Sequence, residues 1–475
     1  MATPLKTDLL VIGAGSGGLS VAAGASQLGL DVTLLEGGEM GGDCLNTGCV
    51  PSKALLRAAK AAHEVRHTAK FGVNGHEPPV DFPAVKGHVQ QVIDTIAPMD
   101  SVERFEGLGV RVISEYGRFT DTQKIETDSY KIEAKKIVVA TGSRAAVPPI
   151  PGLDEVPYLT NETLFKQMER PEHLIIIGAG PIGIEMAQAH RRLGSQVTVL
   201  DIGSMMPRDD QELVDILRQS LQREEIDVRE NISILRVEAQ GNGIAVILDH
   251  EGTEVPVEGT DLLVAAGRKP NLEKLNLDAA GVNYDQRGIK VDQRLRSSNR
   301  HVFAVGDVAG GPQFTHIAGY HAGIIIKNLA FKIPAKVDYS ALPWVTYADP
   351  ELAQVGMTEQ MAKEEFGPGG YEITRWSFHE NDRAQAEGKI DGLVKVILVK
   401  GRVHGASIIG PHAGELLQIW CLAVQEKMKI SKIASMIAPY PTLAEINKRA
   451  AGAYFTPKLF SNRTRKIVRF LQNFG

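Results

Sequence analysis

One pattern occurs twice in this chain, and it restricts the fold more than any other feature. An apolar run over 9–12 leads into Gly13-Ala14-Gly15-Ser16-Gly17-Gly18, a helix-like stretch over 19–28, and a second apolar run over 31–35 that ends at Glu36. The same layout returns as 174–177, Gly178-Ala179-Gly180-Pro181-Ile182-Gly183, a helix through Arg192, and 196–200 ending at Asp201. In each copy the acid lies 23 residues after the first glycine. Strand, tight turn, helix and strand make the unit of a parallel sheet. The first glycine allows the turn, the second lets backbone approach a pyrophosphate, and the third lets helix and strand pack closely. The helix N-terminus faces phosphate, and the acid accepts a hydrogen bond from a ribose hydroxyl. Two such units predict two dinucleotides. One rests on Gly13, Gly15, Gly18 and Glu36, the other on Gly178, Gly180, Gly183 and Asp201.

The rest of the chain fits an ordinary globular protein of about three domains. It has 475 residues, with 43% hydrophobic and 23% charged. A net charge of −5 argues against a nucleic-acid binder. No apolar run is long enough to span a membrane, and the first apolar run reads directly as a strand rather than a leader, so a cytoplasmic location is expected. Only three cysteines are present, too few for a disulfide-stapled secreted fold. Cys421 lies in an apolar helical run and reads as core. His316 and His321 are five apart rather than the four that puts two histidines on one helical face, so no metal site is expected.

The other two cysteines stand in Gly41-Gly42-Asp43-Cys44-Leu45-Asn46-Thr47-Gly48-Cys49-Val50-Pro51-Ser52-Lys53. Positions four or five apart on a helix lie about one turn apart, so Cys44 and Cys49 come within disulfide reach. A redox dithiol needs a thiolate, which a helix N-terminus or a cation favours. Lys53, one turn beyond Cys49, supplies that cation or serves a cofactor.

This segment resembles the active site of the pyridine nucleotide–disulfide oxidoreductases, and is most similar to the dihydrolipoamide dehydrogenase and mercuric reductase-like members. The likeness runs in order through both fingerprints, Thr141-Gly142, Gly267-Arg268-Lys269-Pro270-Asn271, Gly306-Asp307 and Asp349-Pro350-Glu351-Leu352-Ala353. It implies an α/β fold with two Rossmann-like domains, for FAD and NAD, and a C-terminal α+β dimerisation domain. It places the FAD domain at 1–150 and 276–345, the NAD domain at 151–275 and the interface domain at 346–475. FAD is implied at the first fingerprint, with Glu36 on its ribose, Gly117 by the adenine, Asp307 near the ribityl chain, and Gly42, Thr141 and Gly142 alongside. NAD(H) is implied at the second, with Gly267. Cys49 becomes the thiol against the flavin and Cys44 the outer thiol that exchanges with substrate. Lys53 is implied near the flavin, paired with Glu185. Asp201 repels a 2′-phosphate, which favours NAD(H) over NADP(H), with Arg208, close in sequence, as a counter-signal.

Two features depart from the family. Its disulfide-handling members carry His-Pro-Thr-x-x-Glu, the histidine coming from the partner subunit of a homodimer. Here the stretch is Tyr440-Pro441-Thr442-Leu443-Ala444-Glu445. Histidine accepts a thiol proton at neutral pH, whereas a phenol near pKa 10 does not. Oxidising dihydrolipoamide, free or protein-bound, needs that base; reducing a bound metal ion or quinone does not. The resemblance implies an FAD-dependent NAD(H):disulfide oxidoreductase of the dihydrolipoamide dehydrogenase type using Cys44 and Cys49; the alternative is a mercuric-reductase-like, NAD(P)H-dependent reductase of metal ions, quinones or another disulfide. The second departure is 446–475. It contains no acid and seven cations, Lys448, Arg449, Lys458, Arg463, Arg465, Lys466 and Arg469, interleaved with apolar residues. The expectation is that it packs on the protein's own acidic surface; anionic lipid or an acidic partner is the other reading.

Overall fold

The apolar runs of the first fingerprint form β1 (Thr3–Ile12) and β2 (Val32–Leu35), joined by α1 (Ser16–Gln27). The computed structural model describes residues 2–474. β1 pairs in parallel with β2, Leu9 opposite Val32, and on its other side with Tyr130–Val139, Leu10 opposite Ile137. The full order is Val110–Ile113, β2, β1, Tyr130–Val139, Lys124–Glu126, Arg118–Asp121, and Val302–Ala304 also pairs with Tyr130–Val139. Side chains alternate across a strand. Leu9 and Val11 therefore join one core with α1 and helix Thr315–Leu329, while Leu10 and Ile12 join a second core on the opposite face. Covering both faces explains why β1 reads as a continuous apolar run.

This sheet lies in a compact unit made of the chain up to Gly178, Arg192–Thr198 and Ser233–Val337. The same unit contains the parallel pair His173–Ile177 and Asp261–Val264 and an antiparallel sheet of Ser233–Gln240, Gly243–His250 and Thr253–Gly259. A short ladder sets Ser143–Ala145 antiparallel to Arg268–Pro270.

A second unit contains Ala179–Arg191, Val199–Ile232 and the chain from Asp338 onward. Its centre is an antiparallel sheet ordered Pro343–Thr346, Glu351–Gly356, Arg402–Gly410, Leu393–Val399, Glu372–Ser377. Trp420 is fully buried against it and donates its indole N–H to Asn447 Oδ1 at 2.7 Å. Truncating such a residue to alanine costs about 3–5 kcal/mol. Cys421 packs at the edge of this core, where burial pushes its thiol up to about 11, as a structural cysteine requires. Lys395 is buried in the same unit among Asp210, Glu212 and Glu359. Burial opposes its charge, but the three carboxylates outweigh it and hold its pKa above the ordinary value. No helix among the described residues is long and apolar enough to cross a membrane.

Candidate active site

The first fingerprint has the geometry that its glycines call for. Gly13 has φ +105°, and a Cβ there would meet the Ala140 carbonyl oxygen at 2.5 Å. A Cβ on Gly18 would lie 1.9 Å from the Gly13 oxygen, so helix and strand touch through this residue. Around Gly15, by contrast, there is open space, immediately before the N-terminus of α1. Glu36 Oε2 accepts the Ala14 N–H at 2.6 Å and Oε1 accepts the Gly38 N–H at 2.7 Å. A tight turn, an open helix N-terminus and an oriented carboxylate fit the pyrophosphate and ribose of a dinucleotide. Gly117 sits where a Cβ would strike Leu35 and Ile125, so its lack of a side chain serves packing behind the end of β2.

The second copy repeats the arrangement. Gly178 has φ +115°, and a Cβ there would meet the Ala265 oxygen at 2.5 Å, while Gly180 again has open space. Gly183 is buried on helix Pro181–Arg192. Asp201 Oδ2 accepts the Ala179 N–H at 2.6 Å and Oδ1 the Gly203 N–H at 2.8 Å. Arg208 is exposed. Buried Glu185 accepts the Tyr347 N–H at 2.9 Å, and Gln188 exchanges hydrogen bonds with Asp349, which fixes this helix within its unit.

The dithiol segment folds as two helices rather than one. Cys44 lies in α2 (Gly42–Asn46), and Cys49 is the first residue of α3 (Cys49–Arg66). The break at Thr47 and Gly48 brings the two thiols together, so one-helix spacing is not the reason for their proximity. Gly42, at φ +60°, approaches so closely that a Cβ would lie 2.8 Å from the Gly15 Cα. The dithiol loop thus crosses the first fingerprint. Each thiol is the other's hydrogen-bond partner, and Cys49 Sγ lies 3.3 Å from Thr315 Oγ1. The bond from Cys44, then the Thr315 hydroxyl and the Lys53 charge, hold Cys49 down to about 6 against burial and Asp43. Cys44 moves up, because it is the partner that keeps the proton. The 18-residue helix behind Cys49 favours the same thiolate through its dipole. Lys53 follows one turn later, with Nζ 3.4 Å from Ser52 Oγ.

Asp43 and Arg268 are functional-site residues that sequence reasoning did not single out. Asp43 Oδ1 accepts Thr47 Oγ1–H and Asn161 Nδ2–H, both at 2.7 Å, and Oδ2 pairs with Arg268 Nη2 at 2.9 Å. Arg268 also donates to the Ser143 hydroxyl at 2.8 Å and lies 3.6 Å from Asp307. Burial raises the Asp307 carboxyl, while Ser143 and Arg268 pull it back. One guanidinium therefore links the dithiol loop to the acid at the tip of Val302–Ala304. Gly142, at φ +65°, accepts the Asn271 N–H at 3.0 Å, and Thr141 exchanges two hydrogen bonds with Asn271. Gly267, at φ +125°, accepts the Ala146 N–H. The pairing of these two motifs fixes Arg268 in place. His321 is buried, accepts the Gly306 N–H at 3.1 Å, and burial lowers its pKa to about 4, so it supports the Asp307 turn as a neutral ring. His316 stacks on Phe314.

The Tyr440–Glu445 loop holds no comparable proton acceptor. Tyr440 is 67% exposed and donates its O–H to Asp382 Oδ2 at 2.9 Å. That hydrogen bond, then the Asp382 charge, raises the phenol above its ordinary value. Glu445 pairs with Arg449, one turn along its own helix, at 2.7 Å. Tyrosine and glutamate thus each have their own partner.

Comparison with known proteins agrees with this geometry. Residues 7–322 match the pyridine nucleotide-disulphide oxidoreductase family, and 342–451 match its dimerisation domain. Mercuric reductase of Staphylococcus aureus is 33% identical over 451 residues, covering 94% of this chain and 82% of that protein. Dihydrolipoyl dehydrogenase of Geobacillus stearothermophilus is 33% identical over 459 residues, covering 94% and 96%. The structure of RclA, an HOCl-induced flavoprotein disulfide reductase of Escherichia coli, matches with a TM-score of 0.85 at 26% identity, covering 94% of this chain and 99% of that one. With two dinucleotide fingerprints, a dithiol between them in the sequence, and a dimerisation domain, the chain belongs to the pyridine nucleotide–disulphide oxidoreductases, enzymes that use FAD and a nicotinamide nucleotide.

Proposed function

We propose that this enzyme, as a cytoplasmic homodimer, takes two electrons from NADH through FAD and the Cys44–Cys49 pair and delivers them to a disulfide. The observation that carries the reading is the Cys49 thiol, first in its helix, bonded to Cys44 and Thr315, and held near 6. When bound, FAD supplies the path for the electron pair between nicotinamide and dithiol. Glu36 and Asp307 hold its ribose and ribityl groups, within a domain built from 1–150 and 276–345. Asp201, in 151–275, accepts the ribose hydroxyls of NADH and repels the 2′-phosphate of NADPH.

Once reduced, Cys44 gives its proton to Cys49 through their mutual hydrogen bond and attacks the substrate disulfide. A mixed disulfide forms and one thiolate leaves. The first leaving thiolate takes that proton from Cys49, and the Cys49 thiolate then attacks the Cys44 sulfur, re-forming the internal disulfide and releasing the second thiolate. Both leaving thiolates take protons, so one NADH and one proton convert one disulfide into two thiols. No base beyond the pair is needed in this direction.

The reverse reaction, oxidation of dihydrolipoamide, requires a group that accepts its proton, and Tyr440 hydrogen-bonded to Asp382 is the wrong acid–base type. The same observation supports a second reading, in which the acceptor is a thiol-reactive metal ion or a quinone. The deciding experiment compares NAD⁺ reduction by dihydrolipoamide with NADH oxidation by disulfides, metal ions and quinones, using FAD-loaded protein near neutral pH. Slow dihydrolipoamide oxidation with rapid NADH bleaching of the flavin is expected. Rapid dihydrolipoamide turnover would overturn the preferred direction, and metal or quinone turnover that outlasts alkylation of both cysteines would overturn the dithiol route.

A further inference from the structure

The redox and dimerisation matches stop at residue 451, and neither accounts for the helix Asn462–Leu471 that follows. Ser461 caps it, accepting the Thr464 N–H at 3.2 Å, so the chain itself specifies where it starts. None of its residues is buried. At helical spacing Ile467, Val468, Phe470 and Leu471, continued by Phe474, share one face, and their exposure runs from 49% at Ile467 and Val468 to 74% at Phe474. Phe470 and Phe474 stack edge to face at 4.9 Å, so this apolar strip is continuous. Arg465, Lys466 and Arg469 lie on the other side, while Arg463, one turn before Ile467, heads the apolar strip. Among the described residues no carboxylate pairs with any of these four cations. Within 446–475, Arg449 pairs with Glu445 and Lys458 with Glu372, so the expected packing on the chain's own acids holds before the helix and does not extend into it.

We propose that this helix docks the enzyme on an anionic lipid surface, lying in the plane of the interface. Two requirements have to be met together, and this helix meets both. An apolar face needs an apolar medium, and four cations, three of them on the opposite face, need many weakly directional anions rather than one carboxylate. A second copy of the helix would cover the apolar strip but would leave the cations unmatched, and about ten residues are too few for a stable coiled-coil seam. At 1.5 Å per residue the helix is about 15 Å long, half the thickness of a bilayer core, so it rests on the membrane and does not cross it.

The test is flotation of the FAD-loaded full chain with vesicles of phosphatidylcholine alone or mixed with phosphatidylglycerol. The intact protein is expected to float at least about tenfold more with the anionic vesicles, and salt should reduce the effect. Two variants separate the contributions: R463Q/R465Q/K466Q/R469Q removes the charge, and I467S/F470S/L471S removes the apolar strip. Each should lose the binding while NADH still bleaches the flavin normally, which shows that the rest of the chain is folded. No flotation of the intact protein, or equal flotation on neutral vesicles, would overturn the proposal. Binding retained by the apolar variant would make the attachment purely electrostatic, with no helix lying in the interface, and would also overturn it. So would a Phe470-dependent increase in oligomer mass, which would assign the strip to another copy of the chain.

Discussion

The dithiol loop and the Tyr440–Glu445 loop make an instructive pair. Both carry groups that a disulfide reductase uses on sulfur, yet their chemistry is organised in opposite ways. At the dithiol, every interaction converges: two thiols, the Thr315 hydroxyl, the Lys53 charge and a helix N-terminus all bear on one proton. At Tyr440 the interactions diverge, since the phenol goes to Asp382 and the carboxylate of Glu445 to Arg449. Electron storage is thus fully equipped, while proton exchange with an outside thiol is not. That contrast is the basis for the proposed direction, from a nicotinamide to an acceptor that needs no base.

The comparison can be broken most directly at Cys49. Cys49→Ser should lower disulfide reduction by at least about 10³-fold, as expected when one member of a cooperating nucleophilic pair is removed. It should also abolish the thiolate-to-flavin charge-transfer absorbance of the reduced enzyme; if that band persists, Cys49 is not the thiol beside the flavin. The next largest effect belongs to the other loop. Tyr440→His restores a group that titrates near neutrality, and dihydrolipoamide oxidation should rise roughly 10²-fold with flavin bleaching by NADH unchanged. If turnover does not rise, the missing base is not what limits that reaction.

The smallest effect sharpens the picture of the dithiol itself. Arg268→Met leaves the Asp43 carboxylate uncompensated beside the thiols. An added negative charge disfavours a thiolate, so the Cys49 titration should move up from about 6 by on the order of one unit, about 1.4 kcal/mol. Alkylation of the reduced enzyme reports the thiolate, so its rate should fall at neutral pH and its midpoint should shift to higher pH. An unshifted midpoint would leave Arg268 a purely structural link between Asp43 and Ser143.

The fingerprints were legible because glycine spacing reports backbone conformation directly: Gly13, Gly18 and Gly178 each stand where a side chain would collide. The apolar runs gave β1 and β2 for a similar reason, since burial on both faces leaves no polar positions. The Asp43–Arg268 link was hidden, because its partners are 225 residues apart and only the ladder of Ser143–Ala145 with Arg268–Pro270 brings them together. An acid directly before Cys44 and an arginine directly after Gly267 were the available signals, and neither implies the other. The partner of Tyr440 was hidden in the same way, 58 residues away, whereas Glu445–Arg449 had the spacing of a helical pair. The proximity of the cysteines was read correctly but for the wrong reason: two helices meet at Gly48, and no single helix carries both thiols.

The two acid clamps place a condition on cofactor redesign. Glu36 and Asp201 each have both oxygens engaged by backbone N–H groups of their own turns. A protein engineer who removes the Asp201 charge to admit a phosphorylated ribose would also strip the acceptor from Ala179 and Gly203, loosening the loop meant to hold the new ligand. Asparagine or serine, which can still accept one of those bonds, is a better starting point than alanine, and the cations for the phosphate would have to be built onto a turn that is already secured.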